Sequence, residues 1–284
     1  RQSLKIDASR ALIANQLYLG VAGETLRQGG FIDNGARQRR DDDREQYSGR
    51  LALRWTPDAA TDITLRYGAH SWHDGASQWG SVSAGRASVR SGTDSFNQSL
   101  SRTLSLDVAH TLDNGWKLRA ITARSEFADR VQQDTDYTPS PLLYVARDHR
   151  FDTLSQEIRL EGRLGAAQWL AGVYADRDDH TLRFGQKTPM AFSAVTASQR
   201  GNTHAAFTHW QWPLGGAWSV LAGARLEHSD TRFQLNGDAG RSQQSTHVSP
   251  KLALQYQWNF VNRRNINRLY DGILCYITEK GHFT

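Results

Sequence analysis

Charged and apolar side chains take turns along most of this chain. In "GRLALRW" (49–55), Leu51, Leu53 and Trp55 share one face and Arg50 and Arg54 the other. "DITLRYGAH" (62–70) repeats the pattern with Ile63, Leu65 and Tyr67, and "LSRTLSLDVAHTL" (100–112) sets Leu104, Leu106 and Val108 against Thr103, Ser105 and Asp107. In "SQEIRLEGRLGAAQWLAGVYA" (155–175), Glu157, Arg159, Glu161 and Arg163 alternate with Ile158 and Leu160. "WSVLAGARLEH" (218–228) and "VSPKLALQYQW" (248–258) continue it. A period of two is the signature of a half-buried β-strand, and no helical period competes. The pattern predicts eleven strands, near 3–9, 16–26, 47–56, 62–73, 100–112, 116–127, 151–163, 168–184, 202–212, 218–231 and 247–258.

The connections predicted between these strands alternate in length. Short ones fall at Pro57–Thr61, Asp113–Gly115, Leu164–Ala167 and Pro213–Ala217. Long ones fall at Gln28–Gln46, Asp74–Gln98, Ala128–Arg150, Lys187–Gly201 and Arg232–Thr246. A soluble sandwich has little reason to gather its long loops at one end. A membrane-spanning antiparallel barrel does so by construction. The apolar stripe then faces lipid and the charged stripe a wet lumen. Trp55, Trp116, Trp212, Trp218 and Trp258 lie beside the short turns, where an interfacial aromatic belt belongs. Turn-proximal aromatics capping a sandwich core are the alternative.

Composition narrows the picture. The chain has 284 residues, 38% hydrophobic, and no run approaches the roughly 20 apolar residues of a membrane helix. A β-barrel needs only alternate residues to be apolar. Net charge is +5. The arginines are dispersed and often accompanied by acids in the same strand, which argues against a nucleic-acid-binding patch. One cysteine, Cys275, supports neither a disulfide framework nor a thiolate metal site within one chain.

Several segments, in this order, resemble the barrel of TonB-dependent outer-membrane receptors of the ferric-siderophore type. They are "LALRWTPDAATDITLRY", "SQEIRLEGR" with "AAQWLAGVYADRDD", "WSVLAGARLEHSD" and "THVSPKLALQYQW". The resemblance covers about residues 1–258. It implies an all-β, antiparallel transmembrane barrel, here about 11 of an expected 22 strands, without the plug domain. It implies a bacterial outer-membrane transporter, not an enzyme, that takes up a ferric siderophore as ligand and has no resident cofactor or metal. Its partners would be the TonB complex, acting through the plug, the iron chelate, and outer-membrane lipid and lipopolysaccharide, with no nucleic acid. A porin, an autotransporter-like barrel and a soluble all-β binding module are the alternatives.

Past Trp258 the alternation fails. Residues 259–284 are rich in Asn and Ile and hold the one Cys, and we read them as an aberrant tail left by loss of reading frame, with a divergent but genuine strand and loop as the alternative. Half a barrel with two open edges should not insert in lipid as a monomer, because unpaired backbone groups are costly there.

Ligand contacts are expected from the long-loop end, at Trp72, His73, Trp79, Tyr137, Tyr144, Arg147, Arg183 and Phe184. Aromatic rings there can stack on a chelate and arginines can meet its negative charge. Glu157, Arg159, Glu161, Arg163, Arg225 and Glu227 are expected to face the lumen and the plug. The run "RQRRDDDRE" (37–45) reads as a solvated loop touching lipopolysaccharide rather than a calcium site, since no EF-hand spacing follows. His204 and His209, five apart on a strand, face opposite ways and are no metal pair. No local motif marks a nucleophilic serine.

Overall fold

A computed structural model describes residues 1–75 and 88–257, and the backbone of residues 275–277. The strands are β1 (Gln2–Ile13), β2 (Leu17–Gln28), β3 (Asp33–Asn34), β4 (Arg39–Arg40), β5 (Arg44–Trp55), β6 (Thr61–Gly75), β7 (Ser88–Val89) and β8 (Phe96–Thr111). They continue with β9 (Lys117–Asp134), β10 (Tyr144–Leu164), β11 (Ala167–Lys187), β12 (Phe192–Gly215), β13 (Trp218–Leu235), β14 (Arg241–Tyr256) and β15 (Cys275–Ile277). Eleven long strands, β1, β2, β5, β6 and β8 to β14, form one meander in which each pairs antiparallel with the next. Three residues of β15 extend it beyond β14. The predicted tail otherwise lies outside the described residues, as do Trp79 and Trp258.

The sheet has an inverted polarity. On one face the large apolar side chains are exposed, as at Leu104 (48%), Val173 (55%) and Leu252 (57%). On the other face polar groups are covered, as at Asp107 (8%) and Asp129 (3%). A water-soluble sheet would cover its apolar face and leave the charges in water. The inverse arrangement suits an apolar solvent outside and water inside.

The sheet is open. Among the described residues nothing pairs β1 with the far side of the sheet, where β14 carries only the three-residue β15.

Tight turns close one end, at residues 14–16, 56–60, 112–116, 165–166 and 216–217. Their chemistry is local. Asn15 adopts φ 58° and Gly115 φ 80°, and the Asp58 carboxylate accepts the Ala60 and Thr61 amides at 2.8 and 2.7 Å. At this end Trp116, Trp169, Trp210 and Trp212 form a continuous chain of rings, with centroids 5.0, 5.9 and 5.4 Å apart. Gly162 makes room for it, since a Cβ there would lie 2.6 Å from the Trp116 ring.

The opposite end departs from the sequence expectation. The strands run well past the predicted boundaries, and the connections shrink to 135–143, 188–191 and 236–240. Above the lipid level both faces are polar, so alternation no longer marks a strand. β10 has 21 residues, roughly 70 Å of extended chain, more than a tilted crossing of a ~30 Å hydrocarbon layer needs. Asn236 and Gly237, at φ 50° and 79°, make the tight β13–β14 turn that the sequence reading took for a long loop.

The run 37–45 is likewise more ordered than a solvated loop. β3 pairs with β4 and with β7, tying the second-strand loop to the loop before β8. Asn34, 1% exposed, donates to Asp41 and to the Ser91 carbonyl. Asp42 accepts the Phe31 and Ile32 amides, both at 2.8 Å. Arg37 and Arg39 converge on Asp94 at 2.6 and 2.8 Å. Ser91 donates to Asp134, whose other oxygen accepts the Asp136 and Tyr137 amides. Three connections are thus pinned by side chains reading backbone.

Three outcomes are expected. In a bilayer, with these strands completed by the remaining barrel wall, Val173→Arg on the apolar face costs about 2–4 kcal/mol of folding stability, while Thr103→Arg on the polar face costs little; denaturant titration of the completed barrel in vesicles measures both. Asn34→Ala leaves Asp41 and the Ser91 carbonyl short of a partner, so hydrogen exchange in residues 29–43 should accelerate by an amount matching about 1–3 kcal/mol. The hydrogen bond from Arg37, followed by its charge, holds the Asp94 carboxyl below its usual range. Its contribution is therefore full above the ordinary Asp pKa of about 3.9 and is lost as pH falls through the depressed folded value. Proteolysis of the loop by an acid protease should rise only below about pH 4, and Asp94→Asn should abolish that onset.

Candidate functional site

The covered polar face carries the chemistry. Strand register fixes which residues share it, because side chains alternate and none of the central pairings slips. Toward the short-turn end lies a band of ion pairs. Arg119 Nε donates to Asp107 at 2.8 Å, and Arg66 approaches the same carboxylate at 3.7 Å. Arg159 lies 3.4 Å from Glu157 and 3.8 Å from Glu161. Arg225 holds Glu227 through Nε and Nη2 at 2.9 and 2.7 Å. The Arg225 guanidinium also stands 5.3 Å from the Tyr174 ring and 6.0 Å from that of Phe207. Phe207 can lie there because Gly172 opposite has no Cβ; one would meet the ring at 2.6 Å. The predicted ladder Glu157, Arg159, Glu161 and Arg163 is on this face, as are Arg225 and Glu227. Arg163 makes no ion pair among the described residues.

Pairs exposed to water contribute about 0–1 kcal/mol each. Such a band contributes little to folding. It offers a charged, re-pairable surface to whatever fills the lumen.

Toward the long-loop end the same face becomes aromatic. Register places His70, Ser101, Phe127, Phe151, His180 and Gln199 side by side on six neighbouring strands. Phe151 and His180 are 4.2 Å apart between centroids, His149 and His180 6.2 Å, and Phe127 and His149 6.1 Å. His180 Nε2 lies 3.3 Å from Asp178, and Trp72 stacks on His70 at 5.7 Å. Single-strand reading missed this cluster. Only the register across strands brings the four rings Phe127, His149, Phe151 and His180 together.

The predicted loop contacts divide. Trp72, Arg147 and Phe184 are on the lumen face, whereas His73, Tyr144 and Arg183 are on the opposite, outward face. Tyr144 and Arg147 sit within β10 rather than a loop, because that strand is longer than predicted, while Arg183 and Phe184 lie near the upper end of β11, inside the span predicted for it. Arg147 is already bound to the buried Asp129, so its charge is compensated. Tyr137 is in the 135–143 loop at φ 53°, and burial pushes its phenol pKa up. His204 and His209 do face opposite sides, and His204 lies directly across from His228. Among the described residues no group of three metal-ligating side chains gathers.

The sheet superposes on solved receptors of this architecture. The ferric yersiniabactin uptake receptor FyuA from Yersinia pestis gives a TM-score of 0.77 at 19% identity, over 91% of this chain and 42% of that one. The copper transporter OprC gives 0.67 at 16% identity, over 91% and 40%. The ferric citrate transporter FecA, unliganded, gives 0.65 at 10% identity, over 92% and 39%. The chain therefore spans less than half the length of these proteins, and at such identities the likeness is one of fold. The sequence itself matches the family described as TonB dependent receptor-like, beta-barrel, across residues 27–267. With its inverted meander and charged lumen face, this chain belongs to the TonB-dependent receptor β-barrel family.

Proposed function

We propose that the chain is about half of the barrel wall of an outer-membrane receptor that imports a ferric siderophore or similar iron chelate. Import is driven by TonB acting on a plug enclosed by the complete barrel. The observation that carries this reading is the inverted polarity of the sheet, apolar outside and ion-paired inside. The family is one of transport receptors rather than enzymes. The named cargo of FyuA and FecA supports iron chelates, while OprC shows that the architecture also serves copper.

In this reading the ion-pair band around Arg159 and Arg225 faces the plug. The aromatic and histidine row, with Trp72 and Phe184, faces arriving ligand. The arginines expected to meet an anionic chelate have other engagements: Arg147 binds Asp129 and Arg183 faces outward. On this reading the chain alone transports nothing, because the open edges of its sheet leave rows of backbone groups without partners in lipid.

Growth of a receptor-deficient strain under iron limitation tests both parts. Expressing these strands with a plug and the remaining wall should restore TonB-dependent growth on a ferric chelate, and the 284-residue chain alone should not. Rescue by the chain alone would overturn the inactive-fragment reading. Failure of the completed receptor to use any of a panel of ferric chelates would overturn the import reading.

A further inference from the structure

The ring row of the lumen face has carboxylates at its foot. Asp178 precedes His180 on the same face of β11, and its carboxylate lies 3.3 Å from His180 Nε2. The His180 ring meets Phe151 at 4.2 Å between centroids, and register sets Phe127 beside Phe151. Gly201, opposite Asp178 on β12, leaves room for the carboxylate, because a Cβ there would collide with Asp178 Oδ1. Asp176, one row lower on this face, accepts from the Tyr174 hydroxyl.

Other acids on this face are compensated. Asp107 has Arg119 and Arg66, Asp129 has Arg147, and Glu157 and Glu227 have Arg159 and Arg225. Among the described residues no Arg or Lys pairs with Asp176 or Asp178. Their cross-strand neighbours are uncharged: Ser155 and Thr203 flank Asp176, and Thr153 and Gly201 flank Asp178. Followed across β10, β9 and β8, the two rows first reach a basic group at Arg66 on β6 and at Arg50 on β5. Those are roughly 19 and 24 Å away along the sheet, beyond a Debye length of about 8 Å in physiological salt. Toward β14 the same rows hold only Ser229, Ser245, Thr231 and Gln243.

Carboxylates beside phenyl faces suit an organic cation, since both the charge and the ring quadrupole attract it. The expectation that arginines meet an anionic chelate is thereby reversed on this wall. Resting on the reading of this face as ligand-facing, we propose that Phe127, Phe151, His180, Asp178 and Asp176 form a subsite for a chelate arm that carries a cationic nitrogen beside a flat ring. The ring stacks among Phe127, Phe151 and His180, and the nitrogen meets Asp178 and Asp176. A chelate with carboxylates at its periphery is repelled.

The receptor completed with a plug and the remaining wall is titrated at neutral pH with two ferric trihydroxamate complexes. They differ in one arm, which ends in an aminomethylphenyl or a carboxyphenyl group. Quenching of tryptophan fluorescence reads Kd. The amine complex should bind at least about tenfold more tightly. Asp176→Asn with Asp178→Asn should bring the two complexes within about twofold of each other, and Phe151→Ala should weaken the amine complex about fivefold. Asp230→Asn, on the outward face of β13, should leave the ratio unchanged. A third complex without the aryl arm should bind the unaltered receptor and every variant alike. Equal binding of the amine and carboxylate complexes, or a preference that survives the paired Asp substitutions, would overturn the proposal. So would equal weakening of all three complexes by those substitutions. A completed receptor that binds none of the three and no other ferric chelate would contradict the import reading and the subsite with it.

Discussion

In hydrocarbon every backbone N–H and C=O must find its partner within the protein, and the rest of this architecture follows from that requirement. It forces the meander of long antiparallel strands, since each strand can be satisfied only by two neighbours. It also removes the need for a conventional core. Among the described residues the buried apolar side chains are small, four alanines and Val89. Apolar side chains are instead turned outward, and the strand ladder holds the sheet together. The same requirement makes the open edges decisive. Among the described residues β1 has no partner on its outer side and β14 only the three residues of β15, so most of both edges stays unpaired.

Inside the curve of the sheet the physics is that of water. Ion pairs such as Arg159–Glu157 and Arg225–Glu227 are individually weak and collectively define a charged wall. Higher up, the aromatic and histidine row replaces them, and beyond it the loops are locked by Asn34, Asp42, Asp94 and Asp134. A rigid rim, a ring-lined mouth and a charged lower wall therefore succeed one another along the strands. This order suits capture at one end and contact with a filling domain at the other.

Much of this was legible in the sequence, for a physical reason. Where lipid faces one side and water the other, alternation is enforced residue by residue, and the eleven long strands and their inner charge ladder can be read directly. Where water faces both sides, alternation has no cause. The upper ends of β9, β10, β12 and β14 therefore read as loops, and Tyr144 and Arg147 were placed on the wrong element. A one-residue difference in phase separates Trp72 from His73 and Arg183 from Phe184, so naming neighbours as joint contacts could not hold. The cluster of Phe127, His149, Phe151 and His180 depends on register between strands, which no single segment encodes. The loop knot was hidden because "RQRRDDDRE" looks solvated until Asn34 and Asp94 are seen to meet it.

The central claim is the inverted polarity, and spin labels placed singly at positions 154 to 161 of β10 in the membrane-assembled barrel test it most directly. Collision with oxygen should peak at 154, 156, 158 and 160, and collision with a water-soluble nickel complex at 155, 157, 159 and 161. Uniform aqueous access at all eight positions, or the opposite phase, would contradict the account.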